Sequence, residues 1–207
     1  MQTDEFHAMN QSGVAAQTAD QAGIRLLPGQ TALVGYGSLL SLPSLERTLG
    51  RTYTGPFIPC MVSGWRRTWD AAMPNRTFHQ ERPGGPMTPE TILYLNVRRD
   101  PRTRLPAIVF VVGPEELQAY DKRESIYDRV DVTDDLNVRV EGGRAYIYVC
   151  RHEYCLSHVD SAEKGAIRAT YLQIVENGLA QLGEDFRQGY VASTDAVPEH
   201  LVIEDRS

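Results

Sequence analysis

Residues 32–42 read ALVGYGSLLSL, two apolar runs separated by the polar and flexible stretch Gly35-Tyr36-Gly37-Ser38. Glycine loses the most conformational entropy on folding, so two glycines around a tyrosine indicate a sharp turn or a close approach to the backbone. The apolar run before them predicts a strand. LSLPSLERTLG, with Pro43 near its first turn and Gly50 past its end, predicts a short helix. The GYGS stretch therefore joins a strand to a helix.

Such a turn has two functional interpretations and one structural one. A dinucleotide-binding turn is excluded, because Leu40 stands where a third glycine is needed and Gly55 stands where an acid should bind ribose. A turn at the start of a helix also presents backbone N–H groups, which bind a carboxylate or another small anion. The alternative is a turn that serves only to connect the strand to the helix.

The rest of the chain predicts a mixed sheet with inserted helices. Apolar or alternating segments predict strands at 91–97, 105–112 and 143–150, with YDRVDVT as a further strand, bent strands within 52–69 and a long loop at 74–90. PEELQAYDKR predicts a helix opened by Gly113 and Pro114. Apolar residues from Ile167 to Leu179 predict a C-terminal helix with Ser161 as its N-cap. Uneven strand spacing favours an α+β fold, with a small mixed or barrel-like sheet flanked by helices.

Length and charge restrict the class of protein. The 207 residues suit one domain, predicted at 31–207 after a polar arm at 1–30. The net charge is −6 and no basic run occurs, which argues against nucleic-acid and membrane-surface partners and favours a small-molecule partner. Three cysteines and an N-terminus without a signal-peptide pattern predict a cytoplasmic protein.

Glu124 is the candidate acid/base, in the segment DKRESIY where a helix gives way to a strand. A carboxylate at a helix C-terminus faces the negative end of the helix dipole, which raises its pKa, although Lys122 and Arg123 oppose that effect if close. A glutamate with a raised pKa is suited to proton transfer. The alternative is a solvated charged cluster.

A metal site is the other chemistry considered. Cys150, His152, Cys155 and His158 offer two sulfurs and two imidazoles within nine residues, but their spacing is not that of a compact zinc site. A buried cysteine and surface histidines are the alternative, and we predict no metal.

Three segments together resemble the γ-glutamylcyclotransferase superfamily, which includes the ChaC enzymes and the γ-glutamylamine cyclotransferases. They are GYGSLL, VSGWRRTW and LQAYDKRESIYDRVDV, and the resemblance extends over about 31–190 with YLQIVENGLAQLGEDFRQGYVAST near its end. It implies a small barrel-like mixed sheet flanked by helices and an enzyme without a cofactor. Such an enzyme cyclises a γ-glutamyl group to 5-oxoproline.

The resemblance also implies roles for single residues. Tyr36, Gly37, Ser38 and Leu39 would hold the γ-glutamyl group, and Glu124 would be the catalytic acid/base. Tyr127 and Tyr146 would contact substrate, with ordinary packing of both tyrosines as the alternative. The sequence departs from the family at Pro106-Ala107, where relatives often carry glycine, and in the long 74–90 loop.

Alternatives to this enzyme stay open at this point. A fold can persist without its chemistry, so a ligand-binding or protein-interaction module is the second hypothesis. Glutathione, a γ-glutamyl amino acid and a γ-glutamylamine are all candidate substrates.

Overall fold

The fold is built around a mixed seven-stranded sheet. The computed structural model describes residues 23–80, 85, 88–156 and 165–204. Its strands are β1 Gly23–Arg25, β2 Thr31–Gly35, β3 Phe57–Pro74, β4 Thr91–Val112, β5 Tyr127–Asp131, β6 Arg139–Glu141, β7 Ala145–Cys150, β8 Gly165–Arg168 and β9 Val202–Ile203. Its helices are α1 Leu42–Leu49, α2 Pro114–Arg123, α3 Ala169–Leu182 and α4 Glu184–Ala192.

The sheet order places β2 at the centre. The strands run β5-β7-β2-β4-β8-β9, and β3 pairs with β4 off this path. β2 is parallel to β7 and antiparallel to β4, so the sheet is mixed, and a separate parallel pair joins β1 to β6. The predicted α+β class with a mixed sheet flanked by helices is therefore confirmed.

The predicted strands at 91–97 and 105–112 are one continuous strand, which corrects the sequence interpretation. β4 stays paired with β3 from Phe57↔Phe110 to Pro74↔Thr91 through two register irregularities. The charged segment 98–104 resembles a loop in sequence, yet Arg98, Arg99 and Arg104 pair with β3. Residues 100–103 have no partner on β3 and form the irregularity between the paired residues, which leaves the charges of the segment largely in solvent. The guanidinium of Arg99 lies 4.1 Å from the Trp65 ring across this ladder.

The start of the folded domain and the start of its C-terminal helix differ from the predictions. Residues counted with the N-terminal arm belong to the fold, since Ile24 and Leu26 are buried in the core and β1 pairs with β6. Ile167, predicted in the C-terminal helix, lies in β8, and the helix begins at Ala169. The proposed cap Ser161 and residues 1–22 fall outside the described residues.

No helix in the described ranges has both the length and the apolar character that a bilayer crossing requires.

The main core lies between the sheet and helices α3 and α4, and a second cluster lies under α1 and α2. One helix from each side, α1 and α3, contacts the turn at the C-terminal end of β2, where the GYGS stretch emerges.

Candidate active site

The turn after β2 requires glycine because other groups approach it closely. Ser38–Leu40 form one turn of 3-10 helix, with Gly37 before it. A Cβ on Gly35 would lie 2.7 Å from the Cβ of Leu39, and a Cβ on Gly37 would lie 2.8 Å from the Tyr171 hydroxyl. Gly37 has a φ of −121°, so the requirement is space rather than a left-handed backbone.

Tyr36 is held at both its side chain and its backbone. Its hydroxyl donates to the carbonyl oxygen of Tyr148 on β7 at 2.8 Å, and its own carbonyl accepts from Nε of Arg67 at 2.7 Å. Burial raises the pKa of Tyr36 well above its ordinary value, and the nearby Glu124 adds to the effect. Tyr36 therefore anchors the turn as a neutral, hydrogen-bonded phenol.

Arg67 supports the turn from inside the core. Its side chain is fully buried, its Nη1 donates to Ser193 Oγ at 3.0 Å, and its Nη2 donates to the carbonyl of Pro106. The guanidinium lies 4.1 Å from the Tyr190 ring centroid. Burial lowers the pKa of Arg67 to about 10. Arg67 thus joins the turn after β2 to the C-terminal end of α4.

Helix α3 packs directly on the same turn. A Cβ on Gly178 would lie 2.7 Å from the carbonyl carbon of Leu40 and 2.9 Å from the amide nitrogen of Ser41. Glycine lets the helix touch the backbone of the turn. Tyr171 on the same helix meets Tyr94 edge-on at 5.0 Å between ring centroids.

Glu124 ends α2 beside this turn. Its backbone N–H donates to the Tyr120 carbonyl at 2.8 Å, and its Oε1 lies 3.1 Å from Nε of Arg123. The side chain is 17% exposed. Loss of solvation on burial raises the pKa of Glu124, while Arg123 opposes the shift. The direction is the one the sequence predicts, but the main cause is burial.

Arg123 joins the parts of the site. Besides Glu124, its Nη2 donates to Ser38 Oγ at 2.8 Å, and its Nη1 donates to the Ser44 carbonyl at 3.0 Å and to Thr48 Oγ1. One side chain therefore fixes the relative positions of the turn, helix α1 and the glutamate.

A cavity of about 380 Å³ opens between these elements. It is of the size that small-molecule sites typically have. The predicted residues Tyr36, Gly37, Ser38, Leu39, Glu124 and Tyr127 all line it. The Tyr127 hydroxyl donates to the Leu95 carbonyl at 2.9 Å, so the wall of the cavity is itself hydrogen-bonded.

The structure does not bring Tyr146 to this cavity. Its ring lies 5.6 Å from the guanidinium of Arg129, beside a separate polar surface depression. Tyr148, two residues further along the same face of β7, lines the cavity instead.

Sequence reasoning misses several lining residues, namely Arg47, Met73, Tyr94, Tyr148, Tyr171 and Ile174. The helical period does identify Tyr171 and Ile174 as inward-facing. It carries no signal that separates a core position from a cavity wall. Burial raises the pKa of Tyr171, so its phenol stays neutral.

The residues considered for a metal are only partly brought together. Cys155 Sγ donates to the Cys150 carbonyl at 3.5 Å, and His152 lies in a short 3-10 turn between them. His158 falls outside the described residues. Within the described ranges, no three His, Cys, Asp or Glu side chains are grouped as metal ligands.

Comparison with solved structures identifies the class of this protein: it has the γ-glutamylcyclotransferase-like fold. A crystal structure of an uncharacterized protein from Homo sapiens superposes with a TM-score of 0.55 at 14% identity, over 84% of this chain and 96% of the human one. A structure named gamma-glutamyl cyclotransferase superposes with a TM-score of 0.54 at 12% identity, over 82% of this chain and 91% of that one. Neither a protein-family model nor a curated protein matches the sequence. The likeness that GYGSLL and the Glu124 segment indicate is thus confirmed for the fold.

Proposed function

We propose that this protein is a γ-glutamylcyclotransferase that converts a small γ-glutamyl compound to 5-oxoproline and a free amine. The observation that supports this most strongly is that Glu124, with a raised pKa, lines one cavity with the Tyr36–Leu39 turn. A proton-transfer group and an anion-binding turn are the two components that the reaction needs.

The reaction is an intramolecular acyl transfer. The α-amine nitrogen of the substrate attacks its own γ-carbonyl carbon, and a new C–N bond closes the five-membered ring. The original amide C–N bond then breaks. The α-ammonium nitrogen loses two protons as it becomes the ring amide N–H, and the leaving nitrogen gains two as it departs as an ammonium, so the protons balance and the reaction consumes no cofactor.

Glu124 transfers protons between the two nitrogens. The α-amine is protonated at neutral pH, since an α-amino pKa is about 7.7 to 8.0. The Glu124 carboxylate removes one proton from the ammonium before attack and delivers it to the leaving nitrogen, and a raised pKa suits both steps. The second proton, lost from the attacking nitrogen as the new C–N bond forms, ends on the released amine. Arg123 holds the carboxylate in place through its Nε.

The turn and α3 position the substrate. Ser38 and Leu39 begin the 3-10 turn, where backbone N–H groups have no partner within the turn and are available to a carboxylate or an oxyanion. Tyr171 places its hydroxyl against Gly37, at the edge of the same space. Folding the substrate back on itself in this cavity would supply the proximity that ring closure requires.

Substrate contacts from Tyr127 also belong to this proposal, whereas the position of Tyr146 gives no support for its predicted contact. The small-molecule partner, the cofactor-free reaction and the cytoplasmic location stay predictions.

The test is release of 5-oxoproline from glutathione, γ-glutamyl dipeptides and γ-glutamylamines by the unaltered protein and by Glu124→Gln. Gln keeps the shape of the side chain but cannot carry the proton, so we expect kcat to fall by about 100-fold or more. Glu115→Gln is the matched control, because Glu115 is exposed in the first turn of α2.

The outcomes separate the two hypotheses. Turnover lost in Glu124→Gln and kept in Glu115→Gln supports the enzyme. Thermal stabilisation by a γ-glutamyl ligand without any turnover would favour the binding module. Full activity in Glu124→Gln would refute the assigned role.

A further inference from the structure

Helix α1 brings a cation without a protein partner to the cavity. Ser44, Arg47 and Thr48 are spaced three and four residues apart on one face of α1, and all three line the cavity. The Arg47 side chain is exposed, and in the described part of the chain it makes no hydrogen bond or ion pair. It is therefore available to a ligand.

The second arginine of the cavity is not available in this way. Every guanidinium nitrogen of Arg123 already has a partner, since Nε meets Glu124, Nη1 meets the Ser44 carbonyl and Nη2 meets Ser38. Arg123 therefore holds the elements of the site in place, and Arg47 is the arginine that can bind a ligand.

The charge of the cavity is opposite to that of the whole protein. The chain has 21 basic and 27 acidic residues, a net charge of −6. The cavity nevertheless has two arginines and one glutamate among its lining residues, and that glutamate is paired with Arg123. An unpaired cation beside a partly apolar, concave wall favours an anionic ligand group.

A γ-glutamyl group does not supply this missing charge. Its α-ammonium and α-carboxylate cancel each other, and the turn and Glu124 face that zwitterionic half. The complementary anion must come from the part of the substrate that leaves.

We propose that the leaving amine carries a carboxylate that Arg47 binds, so that the substrate is a γ-glutamyl amino acid or peptide rather than a γ-glutamyl derivative of a neutral or cationic amine. This inference rests on the proposed function and makes Arg47 the residue that determines specificity.

The experiment compares two substrates that differ only by the carboxylate, γ-glutamyl-alanine and γ-glutamyl-ethylamide. The quantity measured is the ratio of their kcat/KM values. For the unaltered protein we expect a preference of about ten- to a hundredfold for γ-glutamyl-alanine, the range for a hydrogen bond to a charged group. In Arg47→Gln we expect the ratio to fall close to one, and Arg47→Lys should restore part of it. Arg102→Gln is the control, since the Arg102 side chain is 94% exposed.

Two results would overturn the proposal. A ratio near one in the unaltered protein means that the carboxylate is not recognised. An equal loss with both substrates in Arg47→Gln, leaving the ratio intact, means that Arg47 binds the α-carboxylate instead.

Failure of the proposed function is recognisable separately. If neither compound is turned over, calorimetric binding of the same two compounds decides the question. Tighter binding of γ-glutamyl-alanine that is lost in Arg47→Gln supports the role of Arg47 in a protein that is not this enzyme. Equal binding, or none, overturns it.

Discussion

Replacing Gly178 with alanine tests how closely α3 packs on the turn after β2. The added Cβ would lie 2.7 Å, 2.8 Å and 2.9 Å from three backbone atoms, the carbonyl carbon and oxygen of Leu40 and the nitrogen of Ser41. Backbone atoms cannot rotate away as a side chain can, so α3 or the turn must shift. Such overpacking costs about 1–3 kcal/mol. Alanine gains about 1 kcal/mol in helix propensity over glycine. We expect a net destabilisation of about 0–2 kcal/mol.

The measurement is thermal unfolding together with kcat/KM. For a chain of this size the expected loss corresponds to a fall in Tm of up to about 8 °C. We also expect kcat/KM to fall, because the turn that holds the substrate is displaced. Asn177→Ala, at an exposed position of the same helix, is the control and should be neutral or slightly stabilising. A Gly178→Ala variant that gains about 1 kcal/mol would show that α3 does not press on the turn and would refute the reasoning.

Three further predictions concern buried polar groups. Burial raises the pKa of Glu124. At pH values between the ordinary pKa and the raised one, the folded protein therefore binds more protons than the unfolded chain. The stability that the bound proton provides is lost as the pH rises through this window. The glutamine in Glu124→Gln does not titrate, so the free energy of unfolding of this variant should rise relative to that of the unaltered protein as the pH increases. Urea unfolding between pH 4 and pH 8 measures this difference. A difference that does not change with pH would contradict the prediction. Tyr36→Phe removes the 2.8 Å hydrogen bond to the Tyr148 carbonyl and should cost about 1–3 kcal/mol in urea unfolding, with a higher KM; an unchanged midpoint would show that the bond contributes nothing. Cys60 is 3% exposed and burial raises its pKa to about 12. Iodoacetamide at pH 8 should therefore modify Cys60 only after the protein unfolds. Detection of alkylated Cys60 in the native protein by mass spectrometry would refute this prediction.

The parts of the site that sequence predicts well are those whose chemistry is local. Glycines flanking Tyr36 signal a close approach wherever they occur, and Glu124 follows a helix whose start and end both have clear signals. The structure agrees on both and brings them to one cavity. It gives a different cause for the raised pKa of Glu124, burial instead of the helix dipole. This burial depends on α1 and the turn, and no local sequence pattern shows their positions.

Tyr146 and Tyr148 illustrate what periodicity omits. The alternation of β7 correctly assigns them to one face, but the cavity reaches only the second of them. A period of two gives the direction of a side chain and not its distance along the strand. The segment 98–104 shows a related gap, since its charges resemble a loop although Arg98, Arg99 and Arg104 pair with β3. Pairing partners distant in sequence decide both cases.

The contacts of Arg67 also determine when the binding turn can acquire its final shape during synthesis. Arg67 follows the turn by about thirty residues, yet its guanidinium depends on Tyr190, Ser193 and Thr194, close to the last strand. A ribosome-bound chain that lacks them would leave a cation in the core without those partners, and an unpaired buried charge is strongly unfavourable. The turn is made early and completed late, so if it binds a γ-glutamyl ligand as proposed, a nascent chain should gain that ability only after residue 194 has left the ribosome.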